Sequence, residues 1–190
     1  MTDYMTMTAD APVTRSTAIK LHDESGFAGM RKAGRLAAEI LDALVPHVVP
    51  GVTTGELDDI VRRMTLEGGG VPATLGYRGY THSCCISLNN VICHGIPDSR
   101  PLAEGDIVNI DVTIYLDGVH GDTSVTLPVG GIADHDRLLI QHTLVAMNEG
   151  IGAAGAHEVS RSSMGQSPIC GEFHSCSSKT SLSPYSSSQR

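Results

Sequence analysis

The sequence has no tryptophan and only two phenylalanines, so any core it builds must be largely aliphatic. Basic residues are also scarce: 13 Lys and Arg stand against 21 Asp and Glu, a formal net charge of -8. Without a basic run the chain lacks the footprint that phosphate-rich partners require, which argues against nucleic acid and against anionic membrane surfaces. No apolar run approaches the roughly 20 residues that span a bilayer. The first twenty residues are polar and lack the apolar stretch of a secretory signal. A Gly-rich phosphate-binding fingerprint is missing too, which sets aside a dehydrogenase or nucleotide binder. Cysteine gives no disulfide framework: there are five, an odd number, and Cys84 and Cys85 are adjacent, where a bridge would be strained. Free thiols in a reducing cytoplasm are therefore expected. Cys84, Cys85, Cys93 and His94 do not follow the spacing of zinc frameworks, whose paired ligands lie roughly two to four residues apart. They read as buried or pocket-lining groups.

What the chain does have is enough length, 190 residues, for one domain with a sizeable core. Residues 1–24 show no apolar period and read as a flexible lead-in. A first helix is expected from Phe27 to Val45, with Phe27, Met30, Gly34, Ala37, Leu41 and Leu44 on one face. Pro50-Gly51 then turns the chain. A second helix opens at Thr53, with Glu56 three residues on to complete a capping box and Val52 and Leu57 placed as a hydrophobic staple. Its buried face is Leu57, Ile60, Val61 and Met64, and Gly68-Gly69-Gly70 ends it. Strand-like sequence follows at Cys84 to Leu88, and Val91-Ile92-Cys93 reads as a short buried strand after the Asn89-Asn90 turn. Asp106 to Tyr115 alternates cleanly, with Val108, Ile110, Val112 and Ile114 on one face and Asn109, Asp111 and Thr113 on the other. Val119 to Leu127 returns as its hairpin partner. A third helix is expected from an N-cap at Asp134 to about Gly150, burying Leu138, Leu139, Val145 and Ala146.

Composition changes abruptly after Ala154. Residues 155–190 contain twelve serines and scattered His157, Cys170, His174 and Cys176. A tail of this kind buries too little apolar surface to offset its chain entropy and is expected to be disordered.

Asp111 and Asp122 lie on opposite arms of the expected hairpin. A loop at Leu116-Asp117 pairs them directly, whereas a loop at Asp117-Gly118 pairs Asp111 with Ser124 and Asp122 with Thr113. Either way both carboxylates share a sheet face. Like charges so close repel unless a cation, a proton or water relieves them, and carboxylates suit hard or borderline divalent ions. Spacing alone does not decide between such a site and the solvated face of an amphipathic sheet, or between a functional His94 and a turn histidine bonded to backbone.

Longer motifs add to this. Thr74-Leu75-Gly76-Tyr77-Arg78-Gly79-Tyr80, Cys84-Cys85-Ile86-Ser87-Leu88-Asn89-Asn90-Val91-Ile92-Cys93-His94-Gly95-Ile96-Pro97, Leu102 to Asp111 and Gly118-Val119-His120-Gly121-Asp122-Thr123-Ser124 together resemble type I methionine aminopeptidases. The similarity runs from about Ile19 to Ala154, and His-Gly-Ile-Pro favours this family over proline-specific peptidases of the same fold. The resemblance implies an α/β (α+β) pita-bread fold, with residues 25–154 as the N-terminal portion of a catalytic domain. It implies a metal-dependent, cytoplasmic hydrolase that removes the initiator methionine from peptides and nascent proteins, monomeric at full length, using two divalent ions (Co, Mn, Fe or Zn). Asp111 and Asp122 resemble the metal-chelating and metal-bridging aspartates. His94 resembles the histidine that contacts substrate near the scissile amide, and Tyr77, Tyr80 and Cys85 resemble walls of the methionine pocket. Thr74 departs from the cysteine common in relatives, which changes pocket polarity.

The family's second half supplies further metal-binding and substrate-binding residues, two histidines and two glutamates. No such segment is found here: His157, Glu158, Glu172 and His174 lie in unrelated surroundings. The switch near Ala154 reads as a truncation or reading-frame change. A chain of this kind is expected to hold metal weakly, to expose an apolar sheet face and to be inactive as written. The alternative is a non-catalytic interaction module retaining part of the fold.

Overall fold

The computed structural model describes residues 22–153; the readings made for residues 1–21 and 154–190 lie outside them. Helix α1 spans Glu24–Leu44 and α2 Thr54–Glu67, followed by β1 at Val71–Pro72, β2 at Cys85–Leu88, β3 at Ile107–Leu116, β4 at Val119–Pro128 and α3 at Asp134–Ala153. The sheet is antiparallel. Its long β3 pairs with β4 along one edge and with β1 and β2, one after the other, along the opposite edge.

The alternation of β3 sets the layers. Val108, Ile110, Val112 and Ile114 are fully buried against α1 and α2, where they meet Ile40, Leu44, Leu57 and Val61. The core is aliphatic, as the composition requires. Helix α1 starts three residues before the expected Phe27 because the Asp23 carboxylate caps it through the Gly26 amide. Its buried stripe is Ala33, Ala37, Ile40, Leu41 and Leu44, and Phe27 is left largely exposed. The expected face was therefore rotated, and the cause is close packing. A methyl on Gly121 of β4 would come within 2.7 Å of the Gly34 amide nitrogen, so only small side chains, Ala33 and Ala37, can face the sheet there.

Helix α2 begins as expected: Thr53 Oγ1 accepts from the Glu56 amide at 3.2 Å, and Glu56 Oε2 accepts from the Thr53 amide at 2.8 Å. The β3–β4 register is the one centred on Asp117-Gly118, with Asp111 opposite Ser124 and Thr113 opposite Asp122. Asp117 (φ 51°) and Gly118 (φ 90°) both adopt positive φ. A two-residue turn matched to strand twist demands this, and Asp-Gly tolerates it better than Leu-Asp.

Three further expectations fail. Val91-Ile92-Cys93 is an exposed loop, because the outer edge of β2 is taken by Gly95, whose carbonyl accepts from the Ile86 amide at 2.9 Å. Helix α3 forms, but Asp134 is its first residue, and Leu138, Leu139 and Val145 are exposed rather than buried; its apolar side chains meet no layer among the described residues. The sheet face away from α1 and α2 is polar, since the residues in register there include Cys85, Asn109, Asp111, Thr113, Asp122 and Ser124. Exposed apolar groups gather instead on α3 and on loops, at Tyr77, Ile92 and Ile96. No described helix is long and apolar enough to cross a membrane.

Candidate active site

The polar face of β3 carries Asp111 one step from Thr113, and strand twist brings Asp122 of β4 diagonally beside it. Thr113 Oγ1 donates to Asp122 Oδ1 at 3.1 Å, fixing that carboxylate in its rotamer. Asp111 is half-buried, and its acidity is weakened from the ordinary 3.8 to about 6. Burial is the main cause, followed by the negative charge of Asp122 and a hydrogen bond between the two carboxyls; nearby His94 acts in the opposite sense. Asp111 therefore keeps its proton up to about pH 6, and once it is ionised the two carboxylates would welcome a cation.

Cys85 sits opposite Asp111 on β2. Burial pushes its thiol above the ordinary range, with the charges of Asp111, Cys93 and Asp122 adding to this while a hydrogen bond from Tyr80 opposes it. It is a neutral, apolar lining group. The Tyr80 hydroxyl lies 3.0 Å from both the Cys84 and Gly95 carbonyl oxygens. Burial, then the neighbouring Cys85, drive its acidity down, so it remains a neutral donor. His94 is exposed on the loop after β2 with a left-handed backbone, φ 55°. Of the expected pocket residues, Tyr80 and Cys85 are brought together with Asp111, Asp122 and His94. Tyr77 is not: it stands 64% exposed on the short turn Tyr77–Gly79, its ring under the Arg78 guanidinium at 5.4 Å. Thr74 uses its hydroxyl structurally, donating to the His82 carbonyl at 3.0 Å.

Asp58 on α2 supports this face from below, although α2 carries no chemical signal in the sequence. Its buried Oδ1 accepts from the Ser83 amide at 2.8 Å, the Cys84 amide at 2.9 Å and the Cys84 thiol at 3.3 Å. It thereby fixes the entry to β2 immediately before Cys85. Nothing in the sequence singles Asp58 out for this role.

The donor chemistry of Asp111 and Asp122 fits a divalent cation: two oxygen ligands, partly desolvated, on a rigid strand pair. The donor count is incomplete. Among the described residues no group of three or more His, Cys, Asp or Glu side chains is arranged to hold an ion.

Residues 28–166 match the sequence model of metallopeptidase family M24. Over 114 residues the chain is 57% identical to methionine aminopeptidase 2 of Mycobacterium tuberculosis, an alignment covering 60% of this chain and 40% of that protein. The crystal structure of methionine aminopeptidase from Rickettsia prowazekii matches at 50% identity and a TM-score of 0.69, over 70% of this chain and 54% of that one. The methionine aminopeptidase structure from Thermotoga maritima matches at 30% identity and a TM-score of 0.70, over 72% and 55%. The chain spans about half the length of these relatives.

Proposed function

The chain belongs to metallopeptidase family M24, and from that membership we propose that it carries the N-terminal portion of a methionine aminopeptidase site, acting on N-terminal methionine of peptides and nascent proteins in the cytoplasm. The observation that carries this reading is the Asp111–Asp122 pair, held on one sheet face with His94 and Cys85 beside it. Asp111 and Asp122 are the residues that would hold two divalent ions. Bound there, such ions supply a Lewis acid for the peptide carbonyl and lower the pKa of an attacking water.

The chain's own groups do the rest. Thr113 orients Asp122 through its hydroxyl. Cys85 and the ring of Tyr80 offer a small apolar wall suited to an unbranched thioether side chain. His94, close enough to Asp111 to act on its acidity, would offer an imidazole N–H to the substrate backbone. Two carboxylates alone bind a divalent ion weakly, because affinity follows ligand number and closure of the site. That shortfall is the observation favouring the second reading, an interaction module that keeps part of the fold without its chemistry.

Titration of the full chain with Mn or Co, followed by incubation with a Met-initiated peptide, separates the two. Ion binding lost in both Asp111→Asn and Asp122→Asn, together with release of free methionine, supports the peptidase. If the ion binds no better to the natural chain than to the double variant and no methionine appears, the chain is the module.

A further inference from the structure

The loop carrying His94 has little apolar packing before the buried Pro97. Val91, Ile92 and Ile96 are exposed, Ile92 at 94%, and His94 itself occupies a left-handed backbone at φ 55°. A non-glycine residue in that region persists only where its surroundings over-determine it. Here the determination is polar and converges on the next residue, Gly95. Its carbonyl accepts from the Ile86 amide at 2.9 Å and faces the Tyr80 hydroxyl at 3.0 Å, and its amide donates to Ser87 Oγ at 3.0 Å. Gly95 lies so tightly on β2 that an added methyl would come within 2.8 Å of Ser87 Cα.

Ser87 is the buried partner in this clamp. It is 3% exposed and lies opposite Asn109 on the face that bears Cys85 and Asp111. A serine on a strand has no packing advantage over valine or threonine, so burying a hydroxyl there points to the hydrogen bond it accepts. Downstream the loop is tied again, where the Asp98 amide donates to Thr54 Oγ1 at 2.8 Å and its carbonyl accepts from the Gly55 amide at 2.8 Å. His94 immediately precedes the first of these anchors, and the Gly95 amide, which closes its peptide bond, sets its direction.

We propose that Ser87 is a positioning residue: by holding the Gly95 amide it fixes the left-handed backbone of His94 and keeps the imidazole beside the Asp111–Asp122 pair. The proposal rests on the reading of that pair and His94 as parts of one peptidase site.

The test is NMR on the full chain, with Ser87→Ala as the loss variant and Ser87→Thr as the variant that retains the hydroxyl. In Ser87→Ala the Gly95 amide is expected to exchange about fivefold to tenfold faster, as loss of one hydrogen bond implies. The His94 Cα and Cβ shifts are expected to leave left-handed values, and Ser87→Thr restores both signals. A purely structural serine would lower the urea midpoint yet leave the folded-state shifts of His94 where they were, and unmoved His94 shifts overturn the proposal. Ser87→Cys, close in size but a weak acceptor, should reproduce the loss, and keeps the test decisive if the alanine chain does not fold. Mn2+ added to the natural chain should broaden the His94 imidazole, and less so in Ser87→Ala. Failure of Mn2+ to broaden any resonance counts against the metal reading alone, because the metal-free shifts still decide the role of Ser87.

Discussion

Asp111→Asn should stabilise the metal-free chain at neutral pH. In the folded chain the Asp111 carboxyl is raised from 3.8 to about 6, first by burial and then by the charge of Asp122. Between those two values the folded chain holds a proton that the unfolded chain has released. Ionising Asp111 therefore costs stability above pH 6, and the natural chain regains it as pH falls toward 4. Fully buried, a rise of this size corresponds to about 3 kcal/mol; solvent reaching a half-buried carboxylate reduces it to about 1–2 kcal/mol. Asparagine removes that penalty, so the variant should unfold about 3–6 °C higher at pH 7.5 and show almost no advantage at pH 4. Urea denaturation in EDTA at both pH values measures the difference, and comparing variant with natural chain cancels the titration of other groups. A variant less stable than the natural chain at pH 7.5, or a gain that does not change with pH, would refute the reasoning. Excess Mn2+ should invert the order, since only the natural chain keeps both charged carboxylate ligands.

Three further outcomes follow from the supports of the site. Asp58→Ala leaves the Ser83 and Cys84 amides without their buried acceptor and should cost roughly 2–4 kcal/mol in urea unfolding; an effect under 0.5 kcal/mol would mean solvent reaches those amides. Gly121→Ala forces a methyl against the backbone of α1 and should cost about 1–3 kcal/mol, whereas the same change at solvent-facing Gly150, where nothing lies within 4 Å, should be neutral or better. Asp106 is held below the ordinary carboxylate range, chiefly by the Asn89 side-chain amide and also by the Ala103 amide. Its contribution is complete above the ordinary value of 3.8 and is lost as pH falls through the lowered value, so Asn89→Ala should flatten that acid limb of the stability profile; an unchanged limb would exclude the Asn89 clasp as its source.

Much of this protein was fixed by local chemistry and could be read from the chain. Strict alternation from Val108 to Ile114 assigns the core face of β3 and puts Asn109, Asp111 and Thr113 on the other, because side chains alternate along any strand. Thr53 and Glu56 specify the start of α2 through their own reciprocal hydrogen bonds, and the ordered motifs identify the family. The rest depended on what each segment meets in space. Periodicity gave α1 a face but not its phase, which the close approach of Gly121 selected. The hairpin register stayed open until the backbone at Asp117-Gly118 chose between two pairings. Val91-Ile92-Cys93 has strand-like composition yet remains a loop, because Gly95 already occupies the edge it would have paired with. Asp58 and Ser87 have no signal in the sequence, since their roles exist only where α2, β2 and the His94 loop meet. Local propensity nominates the elements; which of them form, and which polar atoms they bring within 3 Å of one another, is settled only when the elements pack.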